Sequence, residues 1–119
     1  MEITLEGSIR AEEMQQFVEQ AVEAVRSASQ GGRTVRALAD LRQLKTTSPE
    51  AAEILRQGQQ AAMREGMKRI AELVGSELTT LQLNRVARTS GMDRILRRFD
   101  DEAAARLWLF SEGDALDAA

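Results

Sequence analysis

Apolar residues recur along the chain with two periods, and the switches between those periods mark out the elements. Ile3-Thr4-Leu5-Glu6 alternates apolar and polar, as a short half-buried strand does, and Gly7-Ser8 breaks it. Met14, Phe17, Val18, Ala21, Val22 and Val25 then follow at spacings of three and four. Glu12, Glu13, Gln15, Gln16, Glu19 and Glu23 fall between them, so the segment reads as a helix with one apolar stripe. Glu12 and Glu13 lie in its first turn, where the helix dipole favours acids. Gln30-Gly31-Gly32 stops it near Ser29.

Thr34 to Leu41 has strand length and follows the glycines directly, which predicts a central strand. Arg42 to Thr47 is a polar connection. Ser48-Pro49-Glu50 is a strong helix start, because Ser accepts from orphan backbone donors and Pro suits the first turn. Ile54, Leu55, Gly58, Ala61 and Ala62 form a narrow stripe, whose small residues suggest close approach of this helix to a sheet. Gly66 ends the helix. Arg69 to Val74 reads as the next strand. Ser76-Glu77 starts a third helix with Leu78, Leu81, Leu83, Val86 and Ala87 as its apolar positions, and Ser90-Gly91 ends it. Ile95 to Phe99 alternates as a last, peripheral strand. Asp100-Asp101-Glu102 opens a fourth helix with Ala103, Ala104, Leu107 and Trp108 on its apolar face.

The order β-α-β-α-β-α-β-α predicts an α/β fold, a mostly parallel four-stranded sheet covered by four helices. A single domain over residues 1–110 and a polar C-terminal tail over 111–119 account for the 119 residues.

Composition narrows function mainly by exclusion. The chain has no Cys, His or Tyr. Disulfides, thiolate metal sites, Cys nucleophiles and the commonest general base are therefore ruled out. No Gly-rich phosphate loop is present, since Gly31-Gly32 lacks the further glycines and the Lys. The reading is no enzyme, no catalytic residues, no cofactor and no metal. The N-terminus carries neither a basic nor an apolar signal region, and no apolar run is long enough to span a bilayer. A cytoplasmic location is the expectation.

The net charge of −3 conceals a segregation: residues 1–32 hold six acids and two bases, residues 64–98 eight bases and four acids, and residues 99–119 six acids and one base. Arg85, Arg88, Arg94, Arg97 and Arg98 crowd the basic part, and pairing with the acids at 100–102 and on the first helix is the plain explanation. An anionic partner is the alternative. Nucleic acid is not expected, given the negative net charge and only three Phe and one Trp for stacking.

Several residues are candidates for chemistry. Ser48 is a helix N-cap in the structural reading. In the functional one it is, with Thr47 and Thr46, a phosphoacceptor or anion site. Asp40 and Arg42 flank the end of a central strand, where open α/β sheets bind ligands, although Asp40 also suits a turn cap paired to Arg42. With Arg85, Arg88, Trp108 and Phe110 they form the candidate rim for a partner or ligand. Gln59, Gln60, Gln82 and Asn84 read as solvated amides on helix faces. Leu107-Trp108-Leu109-Phe110 holds more large apolar residues than one helix face can bury, so part of it should meet a partner, the tail or an apolar ligand.

Ala39-Asp40-Leu41-Arg42, Ser48-Pro49-Glu50-Ala51, Gly66 to Ala71, Leu81 to Arg85, Phe99 to Ala103 and Leu107-Trp108-Leu109 come in an order and spacing that resembles the small STAS-like bacterial proteins. These are related to the anti-sigma-factor antagonists of the sporulation type. The resemblance covers Leu5 to Leu109. It implies a four- or five-stranded sheet, no enzymatic activity, and work done through a regulatory protein partner or, for some relatives, an apolar ligand or membrane surface. Anti-sigma antagonists carry a kinase-phosphorylated Ser in an Asp-Ser-Ser/Thr-Gly context at a helix N-terminus. Here the strand ends in Asp40, but Leu41-Arg42 follow, and Thr46, Thr47 and Ser48 are the nearest hydroxyls. Relatives usually begin with a further strand, so the edge at Ile3–Glu6 is expected to be unpaired and a homodimer is the expected assembly.

Overall fold

The structure is a computed structural model that describes residues 1–111. It runs β1 (Glu2–Thr4), α1 (Ala11–Ala28), β2 (Val35–Leu41), α2 (Pro49–Arg64), β3 (Met67–Val74), α3 (Glu77–Ser90), a 3-10 turn (Met92–Arg94), β4 (Leu96–Phe99) and α4 (Glu102–Leu109). The four strands form one sheet in the order β1-β2-β3-β4, and every neighbouring pair is parallel. The expected α/β alternation is therefore observed, with the expected edges at β1 and β4. The polar tail falls almost wholly outside the described residues.

The central strands are nearly continuous in apolar residues because both of their faces are covered. Val35, Ala37, Ala39 and Leu41 of β2, with Met67 and Ile70 of β3, meet Val25 of α1, Ala62 of α2 and Leu83 and Ala87 of α3. Leu38 of β2 and Ala71 and Leu73 of β3 point the other way, onto Ala105 and Leu109 of α4. Three helices thus cover one face and one short helix covers the other.

Helix ends follow the capping chemistry. Ser48 Oγ accepts from Ala51 N (3.1 Å), Ser76 Oγ accepts from Thr79 N (3.3 Å), and the Asp101 carboxylate accepts from Ala103 N and Ala104 N. Gly91 ends α3 at φ 87°, a left-handed conformation that a side chain would strain.

Four expectations need correction. The small-residue stripe of α2 makes its closest approach to a helix as well as to the sheet: a Cβ at Gly58 would sit 2.6 Å from Val18 Cγ1 of α1, whereas Ala62 meets the strands. Strand β3 begins two residues earlier than expected, at Met67, directly after Gly66. On α3 the buried positions are Thr79, Leu83, Val86, Ala87 and Ser90, so Leu78 and Leu81 are left outside the core. On α4 they are Ala105 and Leu109, and Leu107 is exposed.

The α4 face is set by an anchor at its C-terminal end. Arg36 Nη1 donates to Leu109 O (2.7 Å) and Ser111 O (3.1 Å), and Arg69 Nη1 donates to Trp108 O (2.7 Å) and Ser111 Oγ (2.9 Å). Arg36 and Arg69 are register partners on β2 and β3. Two adjacent guanidiniums therefore meet the orphan carbonyls at the negative end of the helix dipole. A helix of 8 residues is too short to persist on propensity, so this anchor and the Leu109–Leu73 packing decide which side of α4 faces inward.

Candidate functional site

The C-terminal end of β2 leads into a fixed corner. Gln82 of α3 makes paired hydrogen bonds to the backbone of Thr47: Thr47 N donates to Oε1 and Nε2 donates to Thr47 O, both at 2.8 Å. Three residues earlier on α3, Thr79 Oγ1 donates to Leu44 O (3.1 Å). Helix α3 thereby holds the β2–α2 connection in place and presents Ser48 at its end. Ser48 and Thr46 are exposed and Thr47 is half-buried. Ser48 fills the N-cap role foreseen for it, and its hydroxyl also lies at the positive end of the α2 dipole.

Asp40 and Arg42 engage each other. Arg42 donates from its backbone N, Nε and Nη2 to the Asp40 carboxylate, at 3.1, 3.0 and 2.8 Å. These bonds hold the Asp40 carboxyl below the usual carboxylate range. The contacts continue to Glu102 (3.8 Å from Arg42), then to Arg106 (3.0 Å from Glu102) and Glu2 (3.2 Å from Arg106). This end of the rim is closed on itself.

The arginines of the basic stretch do not pair with the acids at 100–102 or on α1. Arg98 lies against Glu72, a carboxylate only 4% exposed on β3. Its Nε donates to Glu72 Oε1 (3.1 Å), its Nη1 donates to Asn84 Oδ1 of α3, and its Nη2 is buried without a hydrogen bond among the described residues. Burial pushes the Glu72 carboxyl up, and the Arg98 charge and hydrogen bond work against that shift. Arg97, on the opposite side of β4, lies 5.5 Å from the Trp108 ring centroid. Arg85 and Arg88 are exposed, with no carboxylate in ion-pair distance among the described residues. A groove runs between α3 and β4, walled by Leu81, Asn84, Arg88, Asp93, Leu96, Arg97 and Arg98.

The candidate rim is therefore two regions rather than one. Asp40, Arg42 and Trp108 belong to the α4 face, where Trp108 is half-buried against Phe99 (centroids 5.8 Å apart) with Arg69 4.9 Å from its ring. Phe110, just beyond α4, stays exposed, as the run of four large apolar residues implied. Arg85 and Arg88 belong to α3, over the other face.

Between α1, α2 and the sheet lies a cavity of about 60 Å³. Phe17, Val18, Val22, Leu55, Ile70 and Leu83 are among its mainly apolar lining, and Glu72 and Gln59 are the polar residues at its wall. Among the described residues no group of three acids is placed to hold a metal ion, and no helix is long and apolar enough to cross a membrane.

The profile of the SpoIIAA-like family matches residues 1–110. This chain belongs to the SpoIIAA-like family. It is an anti-sigma-factor-antagonist-like module of STAS-like fold, as the spacing of its motifs suggested. No curated protein and no solved structure matches it.

Sequence reasoning missed the internal roles of several polar residues in this SpoIIAA-like chain. Gln82 and Asn84 are bonded inside the fold rather than solvated, and Gln59 is buried, where it accepts from Ser90 Oγ (2.6 Å). Glu72 had a usable signal, since a lone acid inside the apolar run Ile70-Ala71-Glu72-Leu73-Val74 demands a buried partner. Arg36, inside the apolar run Val35-Arg36-Ala37-Leu38 of β2, carried the same signal, whereas Arg69 follows Lys68 at the start of β3 and did not.

Proposed function

We propose that the chain is a non-enzymatic bacterial regulatory module, working in the cytoplasm, that docks a protein partner at the corner formed by Thr46, Thr47, Ser48 and the start of α2. The observation that carries this reading is the paired clamp of Gln82 on Thr47. It gives an exposed hydroxyl corner a single geometry, and a pre-organised surface loses less entropy on binding. The family supports the reading, because the resemblance places the partner-regulated Ser of anti-sigma antagonists at a helix N-terminus after a strand. Phosphate on Ser48, Thr47 or Thr46 would put negative charge at the α2 N-terminus, which tolerates it, and would change the face seen by a partner. A homodimer remains part of this proposal, through the β1 edge, which pairs only with β2 among the described residues.

The test compares affinity capture from the source bacterium by the wild-type chain and by Ser48→Asp. Aspartate keeps the cap while adding charge. We expect a discrete protein held by the wild type and lost by Ser48→Asp; equal capture by both would reject the corner as the docking site.

A second reading, a site for a small apolar ligand or lipid, would use the apolar cavity between α1, α2 and the sheet, which at about 60 Å³ must widen to reach the roughly 300 Å³ of a ligand pocket. Native mass spectrometry of protein purified gently from its own host tests it. A bound apolar mass would support this reading, and a bare chain would reject it.

A further inference from the structure

Helix α3 presents an outward stripe that the fold does not use. Leu78 and Leu81 are 66% and 64% exposed, and Arg85 and Arg88 continue the same line at spacings of four and three. The groove between α3 and β4 lies alongside. It adds Leu96, Arg97 and Arg98 to that surface, with Asp93 as its one acid. Strand β4 is also the sheet edge, pairing only with β3 among the described residues.

We propose that this face docks an acidic amphipathic helix of a protein partner, with apolar side chains seated on Leu78 and Leu81 and carboxylates meeting Arg85 and Arg88. The inference rests on reading the chain as an interaction module and names the chemistry of its partner. Charge complementarity selects an acidic occupant, and the exposed leucines select one with an apolar stripe rather than a free anion. A second copy of this chain fits poorly. Its acidic helix, α1, offers Glu12, Glu13, Glu19 and Glu23 outward, but no large exposed hydrophobic residue to meet the leucines. An α3-on-α1 contact would also be head-to-tail and need not close. Nucleic acid finds no exposed aromatic residue here, since Trp108 and Phe110 lie on the α4 side.

The probe is a fluorescent synthetic peptide of about 18 residues, roughly five helical turns, with Leu at helical spacing and Glu between. A scrambled peptide of the same composition is the control. Anisotropy is read as the full chain is titrated in, at low salt and at about 0.5 M NaCl, where the Debye length is only ~4 Å. We expect saturable binding of the patterned peptide alone. Binding should weaken by about tenfold or more in both Leu78→Ser/Leu81→Ser and Arg85→Glu/Arg88→Glu, with only the arginine-dependent part sensitive to salt. All four positions are exposed, and far-UV circular dichroism checks that each variant is folded. Ser48→Asp should bind the peptide as the wild type does. No saturable binding, equal binding of the scrambled peptide, or indifference to both double variants would overturn the proposal. So would binding to anionic vesicles, lost in the same variants, without peptide binding, because it would reassign the face to a membrane. Because the peptide assay does not depend on Ser48, its failure with Ser48-dependent capture intact would sink this inference alone. Loss of that capture with peptide binding intact would sink the corner alone.

Discussion

Each face of the sheet takes an arginine out of water, and among the described residues the two faces meet it with different groups. Under α1, α2 and α3, Arg98 meets the Glu72 carboxylate and Asn84. Under α4, Arg69 meets the Trp108 carbonyl, the Ser111 hydroxyl and the Trp108 ring. The first contact ties β3, β4 and α3 together from within the larger layer. The second holds the end of a short helix. The contrast implies that the first is needed by the whole domain, whereas the second fastens one replaceable part.

The sharpest way to break that contrast is to remove one partner of the buried pair. Glu72→Ala strands the Arg98 guanidinium with only Asn84 for company and should cost about 3–5 kcal/mol in urea unfolding. Replacing both residues with apolar ones, Glu72→Leu with Arg98→Met, should recover most of that loss, because neither charge is then desolvated without a partner. A single-variant cost below about 1 kcal/mol would mean that the pair is solvated rather than buried.

Arg69→Met tests the other face. Hydrogen bonds from a charged donor contribute about 1.5–3 kcal/mol, and the loss here should be confined to α4. Trp108 is the only Trp in the chain, so its fluorescence reports that helix alone. We expect a red-shifted emission at urea concentrations where the far-UV signal is still native. Coincident transitions would show that α4 is as integral as the other helices, and the contrast between the faces would fall.

The two faces also differ in how far the sequence announced them. The helical layer was legible because α1, at 18 residues, is long enough for its stripe to specify one inward side. Helix α4 has two turns, in which several stripes fit equally well, and the anchor that chooses between them comes from Arg36 and Arg69 far away in the sequence. The same limit explains α3. A pattern of leucines identifies a helix, but the choice of Thr79 over Leu78 as the inward residue depends on Leu44 O, the acceptor its hydroxyl finds. Ser48 and Asp40 were legible as caps because their partners lie within three residues. Gln82 was not, because its partner is 35 residues away.

That long-range clamp gives the third test, again on the helical layer. Gln82→Ala removes both bonds to Thr47 and should cost about 1–2 kcal/mol. Amide exchange at Thr47 should rise along with it, while exchange in β3 stays protected. Ser48→Ala should cost about 1 kcal/mol through the lost cap, and Ser48→Asp should restore it. If Ser48→Asp were as unstable as Ser48→Ala, the α2 N-terminus would not tolerate charge, and the proposed phosphoacceptor role would lose its physical basis.

The smallest effect is expected on the α4 side of the same rim, where Asp40 and Arg42 pair at the surface. Their hydrogen bonds lower the Asp40 pKa from its ordinary value of 3.8. A carboxyl whose pKa is lower in the folded chain than in the unfolded one stabilises the fold when ionised. Its contribution is complete well above pH 3.8, and it is lost as the pH falls through that value toward the lower folded one. Wild type and Asp40→Asn should therefore differ in urea midpoint near neutral pH and converge in strong acid. The pair is half-exposed and salt-screened, so the neutral-pH gap should shrink as NaCl is added. A gap that stayed constant from neutral to acid would mean that Asp40 acts only as a turn cap, with its charge contributing nothing. The closed network from Arg42 to Glu2 would then be no more committed than the open arginines of α3.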